Sequence, residues 1–172
     1  MTLARGTIVL IGMRGVGKTS VGRALARRLD LPFVDLDHRI EAATGRAVRT
    51  LFEAEGERAF RARELAALRD VPARPCVLAT GGGVIETAAA RAELARADAR
   101  VWCQAEIRGL ARRLERDTTR PRLRSGSWLA ELRALGRRRN RWYQALATHV
   151  VRCADRSVEA IAETLERRLR PR

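Results

Sequence analysis

The chain of 172 residues has little lysine, few aromatic residues, little cysteine and no long apolar run. Aromatic side chains make up only 4 % of it, so it offers few flat surfaces on which the bases of a single strand could stack. No apolar run approaches the roughly 20 residues that a membrane-spanning helix needs. The N-terminal apolar run is also too short for a secretory signal. These absences favour a soluble, cytoplasmic protein over membrane, exported and single-strand-binding proteins.

The three cysteines, Cys76, Cys103 and Cys153, are an odd number, and each lies in or beside a short apolar run. This pattern is typical of buried thiols in a reducing compartment rather than of disulfides or metal ligands. The two histidines, His38 and His149, are far apart and lack the spacing of a metal site. We therefore expect neither a disulfide nor a metal site from these cysteines and histidines.

The net charge of +15 would favour a nucleic-acid partner if the basic residues were clustered. Of the 35 basic residues, 34 are arginines spread along the whole chain, which indicates a general preference for arginine at surface positions. We expect weak, salt-sensitive adhesion to polyanions and no specific nucleic-acid partner. The single exception to the use of arginine is Lys18, and its position needs a separate explanation.

Short apolar segments alternate with segments of helical spacing along the chain. The apolar segments predict strands at 7–12, 32–37, 76–80, 100–105 and 149–153. The others predict helices at 18–30, 38–45, 48–70, 86–97, 106–117, 128–147 and 157–169, with Gly45 ending the second, Gly56 breaking the third and Ser157 capping the last. This alternation predicts an α/β fold, a single domain over 1–172 with a parallel sheet of about five strands and helices on both faces.

The segment GMRGVGKT at 12–19 fits the pattern G-x-x-x-x-G-K-[ST] between a predicted strand and a predicted helix. Its glycines allow the backbone to curl so that N–H groups point at phosphate oxygens. In such a loop Lys18 lies between the β- and γ-phosphates, where a compact ammonium fits and a planar guanidinium does not. The pattern predicts binding of a nucleoside triphosphate by this P-loop, through Gly15, Val16, Gly17, Lys18, Thr19 and Ser20.

Two further polar sets follow predicted strands, at the sheet edge where α/β proteins bind ligands. Asp35 and Asp37 are two residues apart in a predicted strand, so both carboxylates are expected on one face, one near metal-bound water and one on a substrate hydroxyl. The alternative is a pair of helix-capping acids. The glycine run 81–83 does nothing for packing, so we expect a ligand to approach its backbone, with a flexible turn as the alternative.

The motifs GMRGVGKT, FVDLD, FRARE, LATGGGV, TTRPRL and RRRNRWY occur in an order that closely resembles the shikimate kinase family, over nearly the whole chain. The resemblance implies a three-layer P-loop kinase fold with a mobile lid loop at about 117–127. It implies transfer of the γ-phosphoryl group of ATP to the 3-hydroxyl of shikimate, with Mg²⁺ as cofactor. The products would be shikimate 3-phosphate and ADP, in a step of aromatic amino-acid biosynthesis.

The resemblance also implies which residues are catalytic. Asp37 would bind ring hydroxyls and orient or deprotonate the nucleophile, and Arg120 would swing over the phosphates with the lid. Lys18 would neutralise charge on the transferring group. Thr19 and Asp35 would lie at the Mg²⁺ ion, Asp35 through water.

Other roles implied by the resemblance concern binding. Arg61 and Arg139 would hold the substrate carboxylate, a use that suits the planar guanidinium. Backbone N–H groups of Gly82 and Gly83 would contact the substrate. The remaining roles are two arginines that flank ATP and a glutamate that holds a neighbouring arginine, namely Arg113, Arg156 and Glu64.

The sequence departs from the family pattern at Arg122, where the family usually has a hydrophobic residue. We expect this side chain to point to solvent; the alternative is an effect on lid closure or ATP affinity.

The alternative functions are a kinase for another small polyol or acid such as gluconate, and a nucleotide-binding regulator without turnover. The glycine run with its two arginines disfavours the first, and the catalytic set disfavours the second. We expect a monomer whose partners are ATP and shikimate.

Overall fold

The computed structural model describes residues 6–116 and 127–170. Five strands form one sheet in which all neighbouring strands are parallel. They are β1 (Ile8–Ile11), β2 (Phe33–Asp35), β3 (Val77–Ala79), β4 (Ala99–Gln104) and β5 (His149–Arg152), in the order β2-β3-β1-β4-β5. The predicted α/β fold with a five-stranded parallel sheet is confirmed.

Strand β1 lies at the centre of the sheet, between β3 and β4. All four of its residues are apolar and at most 2 % exposed. A strand of a parallel sheet is covered by helices on both faces, which is why β1 is a continuous apolar run rather than an alternating one. The P-loop begins directly after this buried strand and so has a rigid base.

Seven α-helices surround the sheet within the described residues. They are α1 (Lys18–Leu29), α2 (Leu36–Thr44), α3 (Val48–Arg69), α4 (Ala88–Leu94), α5 (Ile107–Arg116), α6 (Trp128–Leu146) and α7 (Val158–Leu169), and a 3₁₀ turn at Val84–Glu86 precedes α4. Helix α1 packs on α7, α5 packs on α6, and α2 packs on α3 around a small separate apolar cluster. The cluster consists of Ile40, Leu51 and Phe60.

The predicted helix ends and breaks agree with the structure at three positions. Gly45 has a φ of 65° and ends α2, and Gly56, with a φ of 79° and a ψ of 170°, interrupts α3. Both angles lie where glycine is favoured because a Cβ would be strained. The hydroxyl of Ser157 accepts a hydrogen bond from the N–H of Ala160 and caps α7.

The strand predicted at 32–37 is shorter in the structure. It ends at Asp35, whose side chain accepts hydrogen bonds from the backbone N–H groups of Asp37 and His38 and so caps α2. The first N–H groups of a helix lack intrahelical partners, and a capping carboxylate supplies one. Asp37 therefore lies in the first turn of a helix, and the prediction that the two aspartates share a strand face is wrong.

The helix predicted at 86–97 is also shorter, since Thr87 caps α4 by accepting a hydrogen bond from the N–H of Ala90.

All three cysteines are free and buried, as expected. No helix in the two described stretches is long and apolar enough to cross a bilayer. The expected lid at 117–127, with Arg120 and Arg122, lies outside the described residues apart from Ser127.

Candidate active site

The P-loop between β1 and α1 depends on three glycines with positive φ angles. These are 142° at Gly12, 78° at Gly15 and 97° at Gly17. At Gly12 a Cβ would also lie 2.4 Å from the carbonyl oxygen of Cys103 on β4. Both the backbone angle and the close approach of β4 therefore require glycine at the first position of the motif.

Lys18 is the first residue of α1, and its side chain is directed back into the P-loop. Its Nζ donates hydrogen bonds to the carbonyl oxygens of Gly12 (2.8 Å) and Met13 (2.9 Å). The residue is only 8 % exposed and lines the cavity beside the loop. The ammonium is thus held at a fixed place in the loop, at the edge of this cavity.

A cavity of about 500 Å³ opens beside the P-loop at the carboxyl ends of β2 and β3. It brings together most of the residues that the sequence singles out: a stretch of the P-loop, two aspartates, the glycine run and two arginines. They are Gly15, Gly17, Lys18, Thr19, Ser20, Asp35, Asp37, Arg61, Gly82, Gly83 and Arg139. Val16 is buried and does not line this cavity.

Thr19 and Asp35 are joined by a hydrogen bond from Oγ1 to Oδ2 of 2.8 Å. A hydroxyl and a carboxylate are oxygen ligands of the kind that Mg²⁺ prefers, and this ion usually takes only one or two protein ligands and completes its shell with phosphates and water. No group of three or more histidine, cysteine or acidic side chains forms a metal cage in the described stretches. The pair therefore fits an Mg²⁺ ion that is shared with nucleotide phosphates.

Asp37 and Glu64 approach each other over the first glycine of the run. A Cβ at Gly81 would lie 3.1 Å from Oδ1 of Asp37 and 2.7 Å from Oε1 of Glu64. Glu64 is 1 % exposed, and its burial, with a smaller effect from the negative charge of Asp37, raises its pKa despite the opposing charge of Arg61. The α2 and α3 helices thus bring two carboxyl groups to one end of β3.

Arg61 lies in α3 after the Gly56 break and is fixed by two acids. Its Nη1 donates to Oε2 of Glu64 (2.7 Å) and its Nη2 to Oε1 of Glu57 (3.3 Å). Burial lowers the pKa of Arg61, but the charge and hydrogen bond of Glu64, together with the charges of Glu86 and Glu57, outweigh burial and raise the pKa above its ordinary value. Within the described residues, Nε of Arg61 and Oε1 of Glu64 are buried without a hydrogen-bond partner. Because its pKa is raised, Arg61 stays positively charged in the wall of the cavity.

Other atoms of the protein closely approach the glycine run 81–83. A Cβ at Gly82 would lie 2.9 Å from the backbone nitrogen of Arg14, and one at Gly83 would lie 2.0 Å from Nη2 of Arg61. The prediction that these glycines do nothing for packing is wrong, because they let the P-loop and Arg61 approach the end of β3. The glycines keep the phosphate-binding loop and the guanidinium in the same small cavity.

Arg139 on α6 is 6 % exposed and reaches the cavity from the other side. Its Nε donates to Oε1 of Glu86 (2.5 Å), and Nη2 of the neighbouring Arg138 donates to both oxygens of the same carboxylate at 2.5 Å. The hydroxyl of Tyr143, one turn further along α6, donates to the carbonyl oxygen of Gly82. Sequence reasoning missed Glu86, Arg138 and Tyr143, whose partners are more than 50 residues away.

The arginines expected at ATP are placed differently from one another. Arg113 donates from Nη1 to the carbonyl oxygen of Gly15 (3.1 Å) and so contacts the P-loop. Arg156 donates from Nη2 to the carbonyl oxygen of Ala160 (2.8 Å) and to Oγ1 of Thr164 (2.7 Å) on α7. It lines a neighbouring cavity of about 580 Å³. Neither lines the cavity that holds Lys18 and Asp37.

Comparison with known proteins shows which family this chain resembles. A family model described as shikimate kinase matches residues 14–170. Shikimate kinase of Ruegeria pomeroyi is 39 % identical over 158 residues, which cover 91 % of this chain and 81 % of that protein. The enzyme of that name from Caulobacter vibrioides is 44 % identical over 147 residues, covering 84 % of this chain and 72 % of the relative.

A solved structure of shikimate kinase from Acinetobacter baumannii in complex with shikimate has the same fold. It superposes with a TM-score of 0.87 at 34 % identity and covers 93 % of this chain and 90 % of its own. The P-loop, the adjoining acids and the two arginines thus occur on a fold shared with a shikimate kinase. The chain belongs to the shikimate kinase family of ATP-dependent kinases.

Proposed function

We propose that this kinase transfers the γ-phosphoryl group of ATP to the 3-hydroxyl of shikimate and releases shikimate 3-phosphate and ADP. The observation that carries the proposal is the cavity that joins the P-loop, Asp37 and two guanidinium groups from different helices. A phosphate-binding loop at one end and two cations at the other suit a small acceptor that has both a hydroxyl and a carboxylate. The cavity of about 500 Å³ is also within the usual range for small-molecule sites.

The carboxylate of the acceptor would be bound by Arg61 on α3 and Arg139 on α6. Guanidinium groups bind carboxylates through two parallel hydrogen bonds, so a pair of them fixes the orientation of the ring as well as its position. Backbone N–H groups of Gly82 and Gly83 would contact the acceptor next to them. With this end anchored, the reacting hydroxyl would lie towards the P-loop.

Phosphoryl transfer depends on positioning and on charge neutralisation more than on covalent chemistry. Asp37 would accept a hydrogen bond from the 3-hydroxyl and orient or deprotonate it. Lys18 would stay in place on its two carbonyl partners and offset negative charge on the transferring group. Arg120, in the expected lid, would add a second cation, and lid closure would exclude water as a competing acceptor.

The remaining expected roles concern the nucleotide and its metal. Thr19 and Asp35 would hold Mg²⁺. Bound there with ATP, the ion would neutralise part of the phosphate charge. Arg113 and Arg156 would flank ATP at the P-loop and at the start of α7. We propose that the protein acts as a single-domain monomer in the cytoplasm, where three free, buried thiols are stable.

The proposal is tested by measuring ADP release from ATP and Mg²⁺ with and without shikimate, with gluconate and nucleoside monophosphates as other acceptors. We expect ADP formation that requires shikimate, and a product phosphorylated at the 3-hydroxyl in its NMR spectrum. ADP formation that requires gluconate instead would favour the alternative kinase. ADP formation with no acceptor dependence would contradict the proposal.

A further inference from the structure

Glu86 connects two arginines of α6 to the end of the glycine run. It lies in the 3₁₀ turn after Gly83, and its side chain is only 17 % exposed. Arg138 donates to both of its oxygens, and Arg139 donates to one of them through Nε. A carboxylate that is largely buried between two guanidinium groups is a strong constraint on both, because charge-assisted hydrogen bonds are about twice as strong as neutral ones.

The outer part of this arrangement reaches α3. Oε1 of Glu57 lies 3.7 Å from Nη2 of Arg138 and 3.3 Å from Nη2 of Arg61. Arg138 and Glu57 have side chains that are 48 % and 43 % exposed, so their pair contributes little energy. The side chain of Arg139 is 7 % exposed, so the pair of Arg139 with Glu86 dominates. The inner pair is therefore the part that can fix a side chain.

Glu86 binds Arg139 at Nε, and this determines which nitrogens of Arg139 remain available to a ligand in the cavity. Nε lies on one edge of the planar guanidinium, and a bond there limits rotation of the group. The terminal nitrogens, which make the paired hydrogen bonds to a carboxylate, are on the opposite side from Cδ. Because Arg139 lines the cavity, a hold through Nε leaves these nitrogens in a defined orientation for a ligand.

Arg138 balances the negative charge of Glu86. The group of residues joined by ion pairs contains three guanidinium groups, from Arg61, Arg138 and Arg139, and three carboxylates, from the ion-paired glutamates Glu57, Glu64 and Glu86. Without Arg138 the group would have an excess negative charge next to the place of an incoming anion. With it, Glu86 can orient Arg139 while the attraction for the anion is kept.

We infer that Glu86 is a positioning residue for the acid substrate: it orients Arg139 through Nε, and Arg138 offsets its charge. The inference rests on the proposed function, in which Arg139 binds the substrate carboxylate. Glu86 itself does not line the cavity, so its effect on the substrate passes through Arg139.

The test is the kinetics of Glu86→Gln with shikimate and with its methyl ester, which lacks the negative charge. We expect the KM for shikimate to rise about ten- to hundredfold, because the lost charged hydrogen bond leaves Arg139 without its fixed orientation, and this loss outweighs the extra attraction from the unbalanced positive charge. The kcat and the KM for ATP should change by less than about twofold. The preference for the acid over the ester, as a ratio of kcat/KM values, should fall by a similar factor. General loosening of the site would lower both values together and leave the ratio unchanged.

Glu166 on α7 offers a matched control. It is 13 % exposed and is also paired with two arginines, Arg28 (2.6 Å) and Arg170 (2.5 Å), but it does not line the cavity. Glu166→Gln should lose similar ion pairs and leave the KM for shikimate and the acid-to-ester ratio unchanged. Thermal melting of both variants checks that they fold. If Glu86→Gln is unstable, Glu86→Asp should also lower the ratio, because its shorter side chain withdraws from Arg139.

An unchanged ratio in a folded Glu86 variant, or an equal fall in Glu166→Gln, would overturn the inference. In that case shikimate-dependent ADP release by the unaltered enzyme would still support the proposed function. If the unaltered enzyme shows no such release, the proposed function fails, and the role of Glu86 fails with it.

Discussion

A Cβ on Gly83 would lie 2.0 Å from Nη2 of Arg61, so this glycine determines where the guanidinium can be. The φ of Gly83 is −98°, which alanine adopts readily, so a substitution acts through this contact and not through backbone strain. We expect Gly83→Ala to displace Arg61 and raise the KM for shikimate about tenfold or more, because small misplacements in a site are costly. The KM for ATP should change little.

The control for that variant is Gly109→Ala in α5. No atom of the described residues lies within 4 Å of the Cβ that this change would add. Glycine inside a helix is less stable than alanine by about 0.5–1 kcal/mol. Gly109→Ala should therefore raise the free energy of unfolding without altering either KM. Equal KM values in the two variants would show that the contact of Gly83 with Arg61 does not matter for binding.

Lys18→Arg keeps the charge of the P-loop but changes its shape. The ammonium donates hydrogen bonds to two backbone carbonyl oxygens. A planar guanidinium with five donors does not fit in that place. We expect kcat to fall by about a hundredfold or more, measured by coupled ADP release, and calorimetry checks that the variant still folds. Arg27→Lys on the exposed face of α1 is the opposite exchange and should leave kcat unchanged. Near-normal turnover in Lys18→Arg would contradict the role given to the lysine.

Arg61→Ala should raise the KM for shikimate strongly and the KM for ATP little. It should also destabilise the protein by about 3–5 kcal/mol, because it leaves Glu64 buried without its ion-pair partner. Adding Glu64→Gln to this variant should recover part of the lost free energy of unfolding, measured in urea, without restoring the KM. Equal effects of Arg61→Ala on the two KM values would mean that its role is misassigned.

Thr19→Ala removes the hydroxyl that is expected to bind Mg²⁺, which is also the hydrogen-bond partner of Asp35. We expect the Mg²⁺ concentration needed for half-maximal rate to rise about tenfold or more at fixed ATP. Thr19→Ser keeps the hydroxyl and should stay within about threefold of the unaltered enzyme. A Mg²⁺ dependence that is the same in both variants would argue against a metal role for Thr19.

The sequence predicted those features of the fold that depend on a single residue or on one short segment. Gly45, Gly56 and Ser157 act through their own backbone angle or their own hydroxyl, and each was found where its residue type indicates. The P-loop is likewise a continuous pattern. By contrast, Asp35 is both the last residue of β2 and the cap of α2, and a strand pattern that continues to residue 37 cannot distinguish these roles.

Contacts between distant segments could not be found in the same way. The sequence marks 81–83 as unusual, but the groups that closely approach these glycines are Glu64, the P-loop backbone and Arg61. Arg138 is one of 34 arginines, and its partner Glu86 is separated from it by 52 residues and the whole of α4, β4 and α5. The role of such a pair depends on how two helices pack, which no spacing within one segment records.

The place of Lys18 has a consequence for chemical modification, since its Nζ is the single side-chain amine of the chain. Reagents that acylate or reductively alkylate amines will find no other lysine on a surface covered with guanidinium groups. Its two carbonyl partners and low exposure should make the reaction slow. A nucleotide in the P-loop should slow it further, so the rate of labelling at this residue would measure nucleotide occupancy without any turnover.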